Sequence, residues 1–438
     1  MDIEISSTLD AIKNCDAIRR TGKVVQFFGE VVESKGPDVF LGEVCEIYRS
    51  GFDIPVLAEV IGFREGRVLL APLGHLHGIQ VDSEVIAKGK SATVGVSDDF
   101  IGSVIDAYGN CLNNESRKFD ISTEWPLYGY SKNPLKREKI SEIFETGISA
   151  IDGFASVGIG QRIGVFAGSG VGKSTLLKMI VSSSSSDVNV IALIGERGRE
   201  VLDFVECEEI ASIIKKSVVI VASADQPALV RARAAYAAMS ISEYFAEKGA
   251  NVMLAMDSIT RFAMALRETS LAAGEVPTAR GYTPSTFSAL PKLIERAGNF
   301  KSHGSITGFF TVLVEGEDFN EPITDNLRAI LDGHIILKRE LANKGQFPPV
   351  DILSSLSRLQ EKVIDEKKMG IVKKIKSLFS VYKESYDLVE LGAYEKGSNS
   401  SFDEALSKVP LINSYLKQSV DEKRGVEEIF RKLNGFVS

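Results

Sequence analysis

The stretch Arg162-Ile-Gly-Val-Phe-Ala-Gly-Ser-Gly-Val-Gly-Lys-Ser-Thr175 decides how this chain folds. Its apolar run Ile163–Phe166 predicts a buried strand, and the run Leu176–Ile180 predicts the start of an amphipathic helix. The glycine-rich loop between them lets several backbone N–H groups converge on one phosphate. A chance glycine-rich turn is the alternative, but strand, loop, lysine, hydroxyl and helix all occur in the order of a phosphate-binding loop.

Two side chains at the end of this loop complete the predicted phosphate site. Lys173 can reach the β- and γ-phosphates of a nucleotide, and the hydroxyl of Ser174 can ligate Mg²⁺. The general pattern asks for glycine at the first loop position, where this chain has Ala167. Because alanine is the smallest step from glycine, we expect the loop to form. The predicted nucleotide-binding residues of the loop are Gly168, Ser169, Gly170, Val171, Gly172, Lys173, Ser174 and Thr175.

Length and composition limit the classes of protein to which the chain can belong. Its 438 residues exceed a single core, so two or three domains are expected. The net charge of −8 argues against a surface that attracts nucleic acid. The cysteines lie far apart and the histidines form no cluster, which predicts free thiols in a reducing compartment and no zinc site. With no apolar run of about 18 residues and an acidic first segment, we expect a cytoplasmic protein.

The chain is predicted to begin with a short segment followed by a small β-barrel. In residues 1–21 a weak helical pattern competes on equal terms with a frayed terminus. Residues 22–93 form the predicted barrel, because short Val-, Ile- and Leu-rich runs follow one another between glycine turns. The predicted barrel strands are Lys23–Val32, Gly42–Tyr48, Leu57–Phe63 and Arg67–Ala71.

Residues 94–345 form the predicted domain around the phosphate-binding loop. Within it, residues 94–135 are rich in Gly and Asn and are predicted to be a connector. From about residue 136 onward, strands alternate with helices, which is typical of a parallel sheet with crossover helices. The predicted strands are Arg162–Phe166, Val188–Ile194, Ser217–Ala222, Asn251–Met256, Ser305–Val314 and Gly333–Leu337.

Residues 346–438 form a predicted C-terminal helical domain. Its clearer amphipathic segments are Ile371–Tyr382 and Lys417–Leu433, separated by the polar loop Gly392–Ser401. The predicted fold class is therefore α/β: a P-loop NTPase core with a mainly parallel sheet, a small N-terminal β-barrel and a C-terminal helical domain.

Nucleotide hydrolysis requires an acid that orients Mg²⁺, a group that positions water, and additional positive charge. Asp257 ends an apolar strand and is expected at the carboxyl edge of the sheet, where ligands of α/β proteins bind. An aspartate that caps the next helix is the alternative, which the upstream phosphate-binding loop disfavours. Glu196 follows another buried strand, Val188–Ile194, and is the candidate that polarises the attacking water.

Two arginines are the candidates for the additional positive charge. Arg197, beside Glu196, is predicted to hold or sense the γ-phosphate. The alternative for Glu196 is a solvated side chain, which is usual for a glutamate in a glycine-rich turn. Arg358 has no spacing that marks it as catalytic, and an isolated arginine after the start of a helix is usually a surface residue.

Taken together, these segments resemble the catalytic ATPases of the rotary ATP synthase superfamily, and more narrowly the flagellar and type III protein-export ATPases. The resemblance is strong over about residues 140–360, moderate in the barrel and weak at the two ends. Alanine at position 167 is also common in the export branch. The segments that resemble the family are Ala167–Thr175, Leu193–Glu200, Asp257–Ala263, Ala272–Glu275, Arg280–Tyr282, Leu290–Gly298, Gly304–Ile306, Ile330–His334 and Asp351–Arg358.

The resemblance implies a role for each candidate. Lys173 and Ser174 bind the phosphates and Mg²⁺, and Asp257 orients the metal. Glu196 activates the hydrolytic water. Arg358 resembles the arginine finger that one subunit donates to its neighbour's nucleotide. A site completed in this way requires a ring, because a head-to-tail contact closes into one, and the family implies six subunits.

A further aromatic residue is assigned by the same resemblance. Phe347, in Gly345-Gln-Phe-Pro-Pro349, matches a residue that packs on the adenine ring. The alternative is a core aromatic before a proline turn.

The resemblance also implies the biological role: hydrolysis of ATP, with Mg²⁺, to energise protein export through a flagellar or type III secretion apparatus. Residues 1–21 are then expected to bind a regulatory or stator protein. The helical domain is expected to face the stalk, the export gate and chaperone–substrate complexes. The chain itself is expected to be cytoplasmic, and to reach the inner face of the bacterial membrane only through these partners, with no nucleic acid bound.

Three other functions share the phosphate-binding core. A catalytic subunit of a rotary ATP synthase-like complex is disfavoured by the export-type motifs. A ring-shaped RNA translocase is disfavoured because residues 22–93 are not notably basic. A non-hydrolysing nucleotide-binding ring subunit lacks the glutamate that activates water, whereas this chain has Glu196.

Overall fold

The computed structural model describes residues 19–114, 116–121, 123–129, 133–206 and 213–437. The helical pattern suggested for the N-terminal segment falls almost wholly outside these ranges. The chain forms two compact units: residues up to 92 together with 268–276, and residues 93–267 together with 277 onward. No helix in the described part of the chain is both long and apolar enough to cross a membrane.

The first unit is a closed, antiparallel barrel, which confirms the barrel predicted from the sequence. Its strands are β1 (Thr21–Phe28), β2 (Val31–Lys35), β3 (Glu43–Ile47), β4 (Val56–Arg64), β5 (Arg67–Pro72) and β6 (Glu84–Ser91). They pair in the order β1-β2-β5-β4-β3-β6, and β6 returns to β1. The interior is an apolar cluster that includes Val32, Ile47 and Leu70. Closure pairs every strand on both sides, so the sheet has no free edge.

One predicted barrel strand is wrong. The run Lys23–Val32 was expected to be a single strand, but it forms a hairpin in which β1 ends at Phe28 and β2 begins at Val31. Gly29 turns the chain with a φ of 55°, a left-handed value that glycine adopts at low cost. Apolar residues flank this turn closely, so hydrophobicity alone does not mark it. The other three predicted strands differ from the observed ones by no more than one residue at either end, and β6 was not predicted.

The second unit contains a nine-stranded sheet and two small ones. Its strands are β7 (Thr93–Val96), β8 (Ser103–Ile105), β9 (Thr123–Pro126), β10 (Ile143–Phe144), β11 (Val157–Gly158), β12 (Arg162–Ala167), β13 (Val188–Ile194), β14 (Ser217–Ala222), β15 (Asn251–Asp257), β16 (Gly298–Asn299), β17 (Ser305–Leu313), β18 (Gly333–Leu337) and β19 (Leu356–Ser357).

The large sheet has the order β19-β18-β12-β17-β15-β13-β14-β8, with β16 paired to β17. Pairing is parallel from β18 to β8 and antiparallel at β19 and β16. β13 and β14 are buried along their whole lengths, as expected for a parallel sheet covered on both faces. The two small sheets pair β7 with β9 and β10 with β11.

All six strands predicted between residues 136 and 345 are present, with bounds that differ by at most one residue. Residues 94–135, predicted as a connector, instead contain β8, β9 and most of β7. β8 lies at one edge of the large sheet beside β14. β8 has only three residues and follows Gly102, whose φ is 85°. A strand this short shows no periodicity, which is why the prediction missed it.

The α-helices are α1 (Ser149–Phe154), α2 (Lys173–Ser183), α3 (Gly198–Val205), α4 (Ala228–Glu247), α5 (Ile259–Ala272), α6 (Pro284–Ile294), α7 (Pro322–Ile330), α8 (Arg339–Asn343), α9 (Gln360–Val363), α10 (Glu366–Glu390), α11 (Ser400–Leu416) and α12 (Val426–Val437). Short 3₁₀ turns lie at Asp98–Phe100, Pro134–Lys136, Ala279–Gly281 and Glu315–Glu317. α4 packs against β13, β14 and β15 in the sheet.

The C-terminal helices α10, α11 and α12 pack against one another, and α12 also contacts α1. The segment Lys417–Leu433, predicted as one helix, is helical only from Val426. Before it, the side chain of Gln418 bonds to the backbone of a distant segment. Gln418 Nε2 donates to the carbonyl of Gly147 at 2.6 Å, and its Oε1 accepts from the N–H of Ser149 at 3.0 Å. These bonds attach the start of the segment to residues 147–149, which the sequence pattern around Gln418 does not reveal.

Candidate nucleotide-binding and hydrolysis site

The phosphate-binding loop connects β12 to α2 at the carboxyl edge of the parallel sheet. Gly170 and Gly172 have φ values of 73° and 102°, in the left-handed region that glycine adopts at low cost. A Cβ on either would meet open space, so backbone conformation rather than crowding requires glycine there. Ala167, in contrast, is the last residue of β12 and has no positive φ. Its extended backbone accommodates a Cβ, which explains why alanine is tolerated at the first loop position.

The loop presents the start of a helix to a bound anion. The 11-residue helix α2 begins at Lys173, directly after the loop, so its first N–H groups and its dipole favour a phosphate at this point. Arg339 Nη2 donates to the carbonyl of Ser169 at 2.8 Å and steadies the loop, a contact that the sequence did not suggest. Among the predicted loop residues, the buried ones are Gly168 and Val171, and the exposed ones are Ser169, Gly170, Ser174 and Thr175.

The carboxylate of Asp257, at the end of β15, faces this loop. Lys173 Nζ lies 2.9 Å from Oδ1, and Ser174 Oγ lies 3.5 Å from Oδ2. The next helix is capped by Ser258 rather than by Asp257, because Ser258 Oγ accepts from the N–H of Arg261 at 3.2 Å. The alternative prediction of a capping aspartate is therefore wrong, and the carboxylate is directed at the loop.

The oxygen atoms around Asp257 fit a magnesium ion. Mg²⁺ prefers oxygen ligands and usually takes only one or two from the protein, with the rest from phosphate and water. The Ser174 hydroxyl and the Asp257 carboxylate supply such a pair next to the predicted phosphate position. In the ranges that the structure describes, no group of three or more His, Cys, Asp or Glu side chains is placed to hold a metal. The pair formed by Ser174 and Asp257 suits a metal whose other ligands are nucleotide phosphates and water.

Glu196 lies two residues after the end of β13, the strand beside β15 in the sheet. Burial and the neighbouring Asp257 carboxylate raise the pKa of Glu196 to about 7, while Lys173 and Arg261 oppose this rise. A carboxyl group with a pKa near neutrality can take up a proton from water at physiological pH. The alternative, a fully solvated glutamate in a glycine-rich turn, does not hold, because the side chain is half-buried and electrostatically coupled to the loop.

Arg261 is a site residue that the sequence reasoning missed. It lies in the first turn of α5, four residues after Asp257, and its positive charge lowers the pKa of Glu196. A Cβ on Gly195 would lie only 3.1 Å from the Cβ of Arg261, so the glycine leaves room for this arginine beside Glu196. Its place four residues after the strand-ending Asp257 was the available signal.

Arg197 and Phe347 both have exposed side chains. Arg197 immediately precedes α3, with its backbone in an extended conformation. The side chain of Phe347 is 54% exposed, so the alternative prediction of a core aromatic is wrong. The carbonyl of Phe347 accepts from the N–H of Gln418 at 2.8 Å, which ties this segment to the start of the non-helical stretch before α12.

Arg358 lies after β19, and its side chain is exposed. Its Nη2 donates to the carbonyl of Arg328 at 3.0 Å and its Nη1 to that of Ala329 at 3.4 Å, at the C-terminal end of α7. The carbonyls at a helix end carry partial negative charge, which suits a guanidinium. The arginine is therefore oriented by backbone groups of its own chain while remaining open to solvent.

Three family profiles match the chain. The profile of the ATP synthase alpha/beta family nucleotide-binding domain matches residues 147–357, and that of the family's beta-barrel domain matches residues 24–89. The profile of the type III secretion (T3SS) EscN ATPase C-terminal domain matches residues 364–435.

Known proteins resemble the chain over nearly its whole length. A flagellum-specific ATP synthase of Bacillus subtilis (strain 168) is 48% identical over 435 residues, which is 98% of each chain. The structure of the assembled ATPase EscN from the type III secretion system of enteropathogenic E. coli has a TM-score of 0.89 at 39% identity, and covers 95% of this chain and 100% of EscN. A structure of EscN in complex with its central stalk EscO has a TM-score of 0.87 at 39% identity, with the same coverage. The chain therefore belongs to the ATP synthase alpha/beta family, in the branch of the flagellar and type III secretion ATPases.

Proposed function

We propose that the chain hydrolyses ATP to energise protein export through a flagellar or type III secretion apparatus. The observation that supports this most strongly is the arrangement of the loop with Lys173, the acid Asp257 and the carboxyl group of Glu196 along one edge of the sheet. Nucleotide binding needs only the loop, whereas hydrolysis also needs an acid that orients the metal and a group that positions water. The export role is supported by full-length relatives named for flagellar and type III secretion systems.

Each residue has a distinct part in this proposal. Lys173 and the loop N–H groups hold the β- and γ-phosphates, and the oxygens of Ser174 and Asp257 hold Mg²⁺. When bound with the nucleotide, Mg²⁺ supplies positive charge that offsets the charge on the transferred phosphoryl group. Glu196 orients the attacking water and accepts its proton, which its pKa of about 7 permits.

Positive charge near the γ-phosphate is assigned to arginines of this chain and of its neighbour. Arg197 holds or senses the γ-phosphate within its own subunit, and Arg261 adds a second cation beside Glu196. Arg358 serves as the finger for the adjacent subunit, which fits its exposure and its attachment to the end of α7. A site that needs the next subunit requires a closed ring, for which we propose six subunits. EscN, an ATPase solved in its assembled form, supports an assembly of this kind.

The remaining parts of the chain are assigned to nucleotide selectivity and to partners. Phe347 packs on the adenine ring with its exposed face. Residues 1–21 bind a regulatory or stator protein, residues 22–93 form the barrel domain and residues 94–345 form the ATPase domain. Residues 346–438 face the stalk, the export gate and chaperone–substrate complexes, and the complex of EscN with its central stalk EscO supports the stalk. Through these partners the chain acts at the inner face of the bacterial membrane.

The test of the proposal is the Glu196→Gln variant. This change keeps the size of the side chain but removes its ability to accept a proton, so nucleotide binding should persist while phosphate release falls by a factor of at least about 100. Asp203→Asn is the matched control, because Asp203 is an exposed acid on the helix that follows Glu196. A Glu196→Gln protein with most of the wild-type turnover would refute the role given to this residue.

A further inference from the structure

A buried threonine contacts the carboxylate that faces the phosphate-binding loop. Thr311 lies on β17, the strand between β12 and β15, and its side chain is fully buried. It is paired with Val165 of β12, and the preceding residue, Phe310, is paired with Met256 of β15. Thr311 therefore lies between the strand that leads into the loop and the strand that ends in Asp257.

The hydroxyl of Thr311 is bonded to one particular oxygen of Asp257. Thr311 Oγ1 lies 2.6 Å from Oδ1 of Asp257 and 3.3 Å from the carbonyl of Met256. A hydroxyl has a single proton to donate, and the shorter contact to a charged acceptor is the stronger one. The hydroxyl of Thr311 therefore donates its hydrogen bond to Asp257.

This bond sets the plane of the Asp257 carboxylate. Rotation about the last side-chain bond of aspartate is broad, so the plane depends on the partners that hold the two oxygens. Oδ1 accepts from Lys173 and Thr311, whereas Oδ2 is directed at the Ser174 hydroxyl, 3.5 Å away. Lys173 is expected to turn to the phosphates when a nucleotide binds, and its hold on Oδ1 is then weakened. Thr311 has no such second task.

We propose that Thr311 is a positioning residue that keeps Oδ2 of Asp257 directed at the Ser174 hydroxyl, where the Mg²⁺ of the nucleotide binds. The inference rests on the proposed function. The structural alternative is that Thr311 only satisfies its own buried hydroxyl, since a buried polar group needs a partner. In that case its removal lowers stability and leaves metal binding unchanged.

The test compares nucleotide affinity with and without the metal. We would titrate the full-length protein with N-methylanthraniloyl-ADP in excess Mg²⁺ and again in EDTA. The quantity compared is the dissociation constant in EDTA divided by the dissociation constant in Mg²⁺, which grows with the contribution of the metal. Loss of a residue that orients a metal ligand typically costs about 10- to 100-fold in metal affinity. Thr311→Val, which removes only the hydroxyl, should reduce the ratio by about tenfold or more, with little change in EDTA. Thr311→Ser retains the hydroxyl and should keep the wild-type ratio.

A second threonine on the same strand supplies the matched control. Thr307 is also buried, at 1% exposure, and its hydroxyl accepts from the N–H of Gly160 at 2.8 Å. Thr307→Val should keep the wild-type Mg²⁺ dependence. If Thr311→Val does not fold, Thr311→Ala decides in its place, because it removes atoms and introduces no clash. A folded Thr311→Val or Thr311→Ala protein with the wild-type ratio would overturn the inference, as would an equal loss in Thr307→Val. Wild-type protein that binds no nucleotide in Mg²⁺ would instead refute the proposed function.

Discussion

Removal of the Arg358 guanidinium is expected to lower turnover by about a thousandfold with almost no loss of stability. In its own subunit this exposed side chain makes two hydrogen bonds, to the carbonyls of Arg328 and Ala329 at 3.0 and 3.4 Å. Water replaces such bonds readily, so Arg358→Ala should lower the free energy of unfolding by no more than about 1 kcal/mol. A finger that stabilises the transition state is worth at least about a thousandfold in kcat, or about 4 kcal/mol. The two effects therefore differ enough to be separated.

The assay measures phosphate release at saturating ATP and thermal unfolding by calorimetry on the same samples. Arg358→Ala should lose about a thousandfold in kcat and shift the unfolding midpoint by less than about 4 °C. Arg431→Ala is the control, because Arg431 is an exposed arginine on α12, and it should change neither value. A kcat within about tenfold of wild type for Arg358→Ala would refute the finger.

Mixing two inactive variants tests whether the finger acts on the neighbour. A productive interface can form where an Arg358→Ala subunit supplies Glu196 and a Glu196→Gln neighbour supplies Arg358. With equal amounts mixed at random in a head-to-tail ring, about a quarter of the interfaces meet this condition. Activity should therefore recover toward about a quarter of the wild-type value. If mixed rings form, as shown by co-purification of differently tagged subunits, and stay inactive, donation between subunits is wrong.

Three further outcomes follow from the site. Lys173→Ala should lose affinity for a fluorescent ATP analogue in equilibrium titration. Lys178→Ala, on the same helix, is the control and should keep the wild-type affinity. Equal binding by the two variants would contradict the phosphate contact assigned to Lys173. Because the pKa of Glu196 is raised to about 7, its carboxyl is protonated below that pH and cannot accept a proton. The value of kcat/KM should therefore rise as the pH increases through about 7, and a flat profile from about pH 6 to 8 would exclude Glu196 as the base. Phe347→Ala should raise the KM for ATP about fivefold with kcat unchanged, because it removes about 1 kcal/mol of stacking on the adenine ring. Phe347→Tyr keeps an aromatic ring and should retain the wild-type KM.

The architecture around the phosphate-binding loop was predictable because its signals are local. A strand such as Val188–Ile194 is apolar along its whole length, and the loop after β12 contains glycines whose left-handed conformation the structure requires. The three-residue strand β8 was not predictable, because its position depends on pairing with β14 across more than a hundred residues of chain. Contacts distant in the sequence also explain why the single helix predicted over Lys417–Leu433 was wrong. Its non-helical start is held by the contacts of Gln418 with Gly147 and Ser149.

The candidate site was predictable only in part. The residue types and strand ends identified Lys173, Asp257 and Glu196, because the carboxyl ends of parallel strands meet at one edge. Arg261 and Thr311 were missed, because their roles in the site depend on which side chains the fold brings beside Glu196 and Asp257. A threonine in a strand is common, and no spacing in the sequence marks Thr311. For Arg261 the one available signal was its place four residues after the strand-ending Asp257.

The central claim is that hydrolysis requires an assembled ring with sites completed between subunits. The most direct test measures ATPase activity per subunit against protein concentration, with the molar mass determined by light scattering at each point. We predict that the activity per subunit rises steeply with concentration, in step with the fraction of assembled protein. A constant activity per subunit from protein that stays monomeric over the whole range would contradict the account.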